Sequence, residues 1–190
     1  MKARFKHYEN DKDTNYVKIF KHLRTLKNCT RLNSHLTIQP YNVAVHCYYT
    51  GILFEILSDL CDINVSKKEI IYVYRHDILE SITGDVLYPA KHFDNIVDTY
   101  WTNIENRIID SDRYEYLSFY NNVKTFFNED TWSLFKTCDI LELFLFCKEE
   151  KTLGNSDKAM LHVYANCEEH LLNNVPEPLL FFVKEFMYAD

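Results

Sequence analysis

The sequence predicts an all-helical protein, and three observations carry that expectation. Only three glycines occur in 190 residues, Gly51, Gly84 and Gly154, too few for the tight turns of a sheet-rich domain this long. Apolar residues recur at helical spacing along most of the chain. Hydrophobic residues make up 47% of the sequence, enough to fill a core, at a length that fits one domain spanning 1–190.

Each element follows from its own pattern. From Thr14, an N-cap candidate, to Lys27, Val17, Phe20, Leu23 and Leu26 fall near helical spacing. CTRLNSHLTIQPY then breaks the pattern and reads as a loop. The spacing predicts a second helix from about Tyr41 to Leu60 and a third from about Ser66, a cap candidate, to Ile82. Thr83-Gly84-Asp85 is a stop signal, and Pro89 marks where the next helix begins, with Phe93, Ile96, Tyr100, Ile104 and Ile108 along it. DSDRYEYLSFYNNVKTFF reads as irregular or short-helical. Three further helices are expected, from about Thr131 to Leu153, Ser156 to Leu172 and Pro178 to Met187. No repeat, low-complexity tract or change of composition marks a linker.

A formal net charge of −7, with lysines and arginines scattered among acids, argues against a nucleic-acid polymer as ligand, which calls for a basic patch. A small anion remains compatible, because one metal and one arginine offset local repulsion. The six cysteines form no CxxC pair. The N-terminal MKARFKHYENDKD lacks the apolar core of a signal peptide, and no apolar run approaches the roughly 20 residues of a membrane span. The expectation is a soluble, cytoplasmic protein with free, mostly core-filling thiols. Few glycines and many Asn, Tyr, Lys and Ile residues point to an AT-rich genome, such as a viral one.

Polar residues on apolar helices stand out against this background. His76 and Asp77 are adjacent on the expected third helix, among Ile70, Ile71, Val73 and Ile78. Imidazole and carboxylate both suit a borderline divalent metal. Adjacent helical residues point about 100° apart, so the two reach one ion only at the helix edge. His46 lies within VAVHCYYTG and Asp139 within LFKTCDILELF, and facing helices can present such groups to one interior point. Each has a plainer reading. A lone histidine on an apolar helix is ordinarily a core residue with a backbone partner, and Asp139 could pair with Lys136 one turn earlier. The aromatic stripes of Tyr48, Tyr49, Tyr100, Trp101, Phe144 and Phe146 are expected to be core rather than base-stacking surface.

HDILESITGDVLYPAK, from His76 to Lys91, resembles the HDxxExxTGDxxxPxK signature of the HD-domain 5′-deoxynucleotidases of the YfbR type. Every fixed position is present: His76, Asp77, Glu80, Thr83, Gly84, Asp85, Pro89 and Lys91. NVAVH, ending at His46, resembles that family's N-V-x-E-H-S segment. SLFKTCDILELFLFCKEEKTLGN resembles its SL-x-K-x-A-D segment, including the closing Gly-Asn. The likeness runs from about Arg31 to Asn155. Val45 replaces a family Glu, Cys47 a Ser, and Leu32 the Trp that follows the family's arginine.

The resemblance implies a single HD-type helical bundle in which His46, His76, Asp77 and Asp139 bind one divalent ion. Two nitrogens and two carboxylates suit Co, Mn, Fe, Ni or Zn better than Mg. Such an ion acidifies water and polarises a phosphoryl oxygen. Glu80, read as sharing His76's side of the helix, would orient the water or shuttle its proton. Asp85 would position the water or protonate the leaving oxygen, and touch substrate. Arg31 offers a fork for phosphate, Leu32 a wall for the sugar, and Lys136 either supports the phosphate or neutralises the acids. Lys91 is read as structural. The implied reaction removes phosphate from deoxynucleoside 5′-monophosphates. Two rivals stand beside it: triphosphate release from deoxynucleoside triphosphates at the same site, and a non-catalytic nucleotide-binding or interaction protein. The resemblance also implies a homodimer, to which the apolar segment PLLFFVKEFMY could contribute, although that segment could equally cover the protein's own core.

Overall fold

The computed structural model describes residues 11–189 and, for 11–14 and 118–124, the backbone alone. The residues ahead of Asp11, where the absence of an apolar leader was expected, lie outside the described residues. The architecture is helical throughout: α1 (Asp11–Thr25), α2 (Val43–Leu60), α3 (Lys67–Val73), α4 (Glu80–Thr83), α5 (Tyr88–Lys91), α6 (Asn95–Ile109), a three-ten stretch (Asp112–Thr125), α7 (Glu129–Thr152), α8 (Lys158–Asn174) and α9 (Leu179–Tyr188). Among the described residues the sole bridge of β type joins Thr30 to Asn42 and closes the neck of the loop between α1 and α2. No helix among them is long and apolar enough to cross a membrane.

The central helix is α7, which packs along α2 on one side and α8 on the other. Phe54 and Leu57 of α2, Phe135, Leu141 and Phe144 of α7, and Leu171 of α8 are almost wholly buried together. Each such side chain contributes about 1.5–3 kcal/mol relative to exposure. The C-terminal segment turns Leu179, Val183 and Met187 of α9 into this same core, so its apolar face covers the protein itself. The cysteines are free, and Cys47, Cys138, Cys147 and Cys167 are buried, as core-filling thiols should be.

Several boundaries differ from the sequence pattern. Helix α1 starts at Asp11, ahead of Thr14, which is therefore not its cap. Ser66 does cap α3, in a reciprocal box with Glu69. The single helix expected from Ser66 to Ile82 is interrupted, because α3 stops at Val73. From there the amides of Arg75, Ile78 and Glu80 reach back three residues, to the carbonyls of Tyr72, Arg75 and Asp77 at 2.8, 2.9 and 2.9 Å. The cause lies in His76. Its Nδ1 takes the Val73 carbonyl at 2.8 Å, the acceptor that an α-helix would give to the amide of Asp77.

The helix expected to run on from Pro89 is also split. Asp94 caps a new start by accepting from the amides of Ile96 and Val97 at 2.9 and 2.8 Å. Phe93, Ile96 and Tyr100 are exposed, as are Tyr48 and Tyr49, whereas Phe144 and Phe146 are buried. The expectation of core aromatics thus fails wherever a helix has one side on solvent.

One close approach fixes how the His76 turn meets α2. A Cβ at Gly51 would lie 2.3 Å from the ring of Tyr74, so glycine lets that ring rest on the helix backbone. Glycine-to-alanine inside a helix ordinarily stabilises by up to about 1 kcal/mol. Here Gly51→Ala is expected to destabilise by about 1–3 kcal/mol through overpacking. Urea unfolding should show a lower midpoint with an unchanged slope, and an equal or higher midpoint would refute the steric account.

Candidate metal centre

Three elements converge beneath the α1–α2 loop. Asn42 caps α2 by accepting from the Val45 amide at 3.1 Å, and one turn in, His46 is completely buried. The three-ten turn after α3 supplies His76 and Asp77, and α7 supplies Asp139. The Nε2 atoms of His46 and His76 are 3.2 Å apart. Asp139 Oδ1 lies 3.0 Å from His46 Nε2 and 3.7 Å from His76 Nε2. Asp77 Oδ2 lies 3.7 Å and 3.3 Å from the same two nitrogens. Donors bound to one ion at about 2.1 Å stand about 3.0 Å apart in octahedral and about 3.4 Å in tetrahedral geometry. Five separations among the four groups, 3.0–3.7 Å, are thus of the size that donors to a single ion require.

The second nitrogens of the two imidazoles decide their tautomers. His46 Nδ1 is hydrogen-bonded to Glu142 Oε2, which also accepts from the Tyr41 hydroxyl. His76 Nδ1 donates to the Val73 carbonyl. Each ring proton is thus spent at the back, and two Nε2 lone pairs face one another. Lone pairs at 3.2 Å repel unless a metal ion or a proton lies between them. Two imidazole nitrogens flanked by two carboxylate oxygens form a donor set that suits a metal.

The carboxylates are held from outside by cations. Arg31 Nη1 donates to Asp77 Oδ2 at 2.8 Å, and Lys136 Nζ donates to Asp139 Oδ2 at 3.1 Å. Burial alone would raise the Asp77 pKa, but His76, Arg31 and His46 more than offset it and hold the group below the usual carboxylate range. Asp139 is likewise lowered, against the effect of burial, by its bond to His46 and by Lys136. Burial would lower the His76 pKa, yet Asp77 raises it well above normal. Proton and metal therefore compete for this imidazole.

Glu80 follows Asp77 by one three-residue turn, rather than sharing a helix side with His76 as expected. It is 8% exposed. Its Oε1 lies 3.5 Å from Lys91 Nζ, and its Oε2 is buried without a protein partner. Burial, then the neighbouring Asp77, pushes its pKa up to about 8. Asp85 lies just past Gly84, whose φ of +76° turns the chain out of α4, and its carbonyl accepts from Asn33 Nδ2 at 2.9 Å. Leu32 adopts φ +51° and packs against Tyr41, Phe146, Cys147 and Met160.

Three participants were not read from the sequence. Glu142 was legible in principle, one turn from Asp139 and an acid inside an apolar run. Lys91, expected to be structural, contacts Glu80. Cys47, a departure from the family's Ser, clusters with His76 and Asp77.

The family model described as 5′-deoxynucleotidase YfbR-like matches residues 18–189. The chain belongs to the YfbR-like 5′-deoxynucleotidase family. It is an HD-domain phosphohydrolase, and membership carries the reaction class, release of phosphate from deoxynucleoside 5′-monophosphates. A 5′-deoxynucleotidase of Klebsiella pneumoniae strain 342 is 23% identical over 180 residues, covering 88% of this chain and 89% of the relative. One from Citrobacter koseri matches equally well over the same extent. Among solved structures, the PH0347 protein of Pyrococcus horikoshii OT3 superposes with a TM-score of 0.70 at 17% identity, covering 90% of this chain and 98% of that one. The cyanophage S-2L HD phosphohydrolase, solved with dA and one catalytic zinc ion, superposes with a TM-score of 0.63 at 18% identity, covering 88% and 91%. These likenesses establish the HD fold.

Two outcomes follow from this geometry. Glu142→Gln should weaken metal affinity by about 10- to 100-fold, because it disturbs the anchor behind His46. His76→Ala and Asp139→Ala should lose the ion altogether. Metal content after dialysis checks this, and equal content in all four proteins would refute it. The second outcome concerns pH in metal-free protein. A carboxyl whose folded pKa is raised from 4.5 to about 8 binds more protons folded than unfolded across that window, so it costs stability as pH rises through it. Glu80→Gln should therefore gain stability over wild type from pH about 5 to about 8, by up to a few kcal/mol. Parallel pH dependences would show that Glu80 ionises freely.

Proposed function

We propose that this site hydrolyses deoxynucleoside 5′-monophosphates with one divalent transition metal held by His46, His76, Asp77 and Asp139. The observation that carries this reading is the facing pair of imidazole Nε2 atoms, 3.2 Å apart, with both Nδ1 atoms anchored elsewhere. The donor set suits Co, Mn, Fe, Ni or Zn, and the catalytic zinc ion of the cyanophage phosphohydrolase supports that class. When bound, such an ion supplies Lewis acidity toward water and a phosphoryl oxygen.

In the reaction a water oxygen attaches to phosphorus, the bond from phosphorus to the 5′ oxygen breaks, and the leaving oxygen takes up a proton. Glu80, buried and with a pKa of about 8, is suited to hold or move a proton near neutral pH. Lys91 steadies one of its oxygens and leaves the other free. Asp85 is assigned the water or the leaving oxygen, together with contact to substrate. Arg31 spends Nη1 on Asp77 and keeps further N–H groups of its fork for a phosphate oxygen. Lys136, half exposed beside Asp139, adds positive charge at the rim. Leu32 offers an aliphatic edge backed by Tyr41 and Phe146, and a close wall at the sugar's 2′ position would exclude a hydroxyl. The homodimer belongs to the same reading and would use a face other than the buried side of α9.

Metal-loaded protein incubated with deoxynucleoside monophosphates, deoxynucleoside triphosphates and ribonucleotides of one base tests this directly. Phosphate release from the deoxy monophosphate is expected to dominate. Glu80→Ala should keep its metal and lose about 10²- to 10⁴-fold in turnover. Release of intact triphosphate, or equal kcat/KM for deoxy- and ribonucleotides, would overturn the substrate assignment.

A further inference from the structure

Cys47 follows His46 on α2 and is 2% exposed. Its side chain lies in a small apolar cluster with Leu26 and Val43, and taken alone it would be a filler. Its surroundings say more. Its Sγ, a ring nitrogen of His76 and a carboxylate oxygen of Asp77 all lie within 4.8 Å of one another. A second triad, formed by His46, His76 and Asp139, meets the same limit. The two triads share His76, whose Nδ1 is committed to Val73. An ion on that imidazole thus sits between an oxygen-rich set of donors and one that contains sulfur.

We propose that Cys47 is a further ligand of this centre and biases it toward thiophilic ions. The proposal rests on the metal reading above and extends it to a residue outside the His-Asp set. Two donors on one ion can be separated by at most the sum of their bonds, about 4.4 Å for sulfur and nitrogen on zinc. Sulfur, the His76 nitrogen and the Asp77 oxygen all lie within 4.8 Å of one another, so shifts of at most a few tenths of an ångström bring the Cys47 sulfur and the His76 nitrogen within reach of one ion. On binding, the S–H bond of Cys47 breaks, a sulfur–metal bond forms and the proton passes to solvent, with no change of oxidation state. The serine that the resemblance places at this position would offer a hydroxyl, a weak ligand for a borderline metal. A thiolate favours zinc and cobalt over manganese and magnesium. The departure at Cys47 would therefore change which ion occupies the site without altering the His-Asp ligands.

Cobalt(II) loading of the full chain is the test. Visible ligand-field bands report that cobalt is bound at all, and a near-ultraviolet sulfur-to-cobalt charge-transfer band reports that sulfur is among the ligands. Wild type is expected to show both. Cys47→Ser should keep the visible bands and lose the charge-transfer band, and its preference for zinc over manganese should fall about 10- to 100-fold. X-ray absorption on zinc-loaded wild type needs no variant and should show a sulfur shell at about 2.3 Å. Visible bands without charge transfer in wild type, or charge transfer that survives in Cys47→Ser, would overturn the role of Cys47 and leave the His-Asp centre standing. Absence of both bands in wild type would overturn the metal centre and this proposal with it.

Discussion

Glu142 shares one carboxylate oxygen between the His46 imidazole and the Tyr41 hydroxyl, and the arrangement of the centre follows from that contact. His46 is buried in the contact between α2 and α7, where an unanchored imidazole could rotate. Bonded at Nδ1, it can only present Nε2 forward. The Val73 carbonyl does the same for His76 by a different route, at the expense of α-helical bonding after α3. The interrupted helix is thus part of the site: the turn after Val73 carries both His76 Nε2 and Asp77 Oδ2, which stand 3.3 Å apart.

Charge is arranged on the same plan. Asp77 and Asp139 each meet a cation on the outer side, Arg31 and Lys136, and Glu80 meets Lys91. Those partners help to keep two partly buried carboxylates ionised. Because Arg31 neutralises Asp77 and also stands at the proposed phosphate position, ion and substrate would be coupled through one guanidinium. Stability and chemistry lean on the same side chains here, so the core of α2 and α7 cannot be optimised independently of the site.

The sequence made the helical class legible, because periodicity and scarce glycine survive any packing arrangement. His46, His76, Asp77 and Asp139 were legible through spacing and resemblance, and the structure brings these four together. What stayed hidden depended on contacts across the chain. The break after Val73 comes from a side chain competing for a carbonyl, and Ile70 to Ile78 keeps its helical periodicity through that break. The exposure of Ile96 and Tyr100 depends on which helices leave α6 uncovered, which local pattern does not encode. Glu142 reads as one more acid on a long helix until Tyr41, far away in sequence, is placed against it.

The loop that carries Arg31 and Leu32 is bound more firmly than its polar sequence suggests. Its neck is closed by the Thr30–Asn42 bridge. Its far side is held by Glu150, whose carboxylate accepts from the amides of Ile38 and Gln39 at 2.7 Å each. Asn155 Nδ2, just past the end of α7, bonds both Glu150 and the Leu36 carbonyl at 2.7 Å each. On the proposed reading, a nucleotide arriving here would meet a rim that is already set. Little ordering entropy would then be lost on binding, and recognition would work as a template and not as a closing jaw. Such a template would admit or reject a sugar by shape at first encounter. The cost is adaptability: a change of substrate would have to come from new side chains on the rim, since the backbone beneath them is tied to the far end of α7.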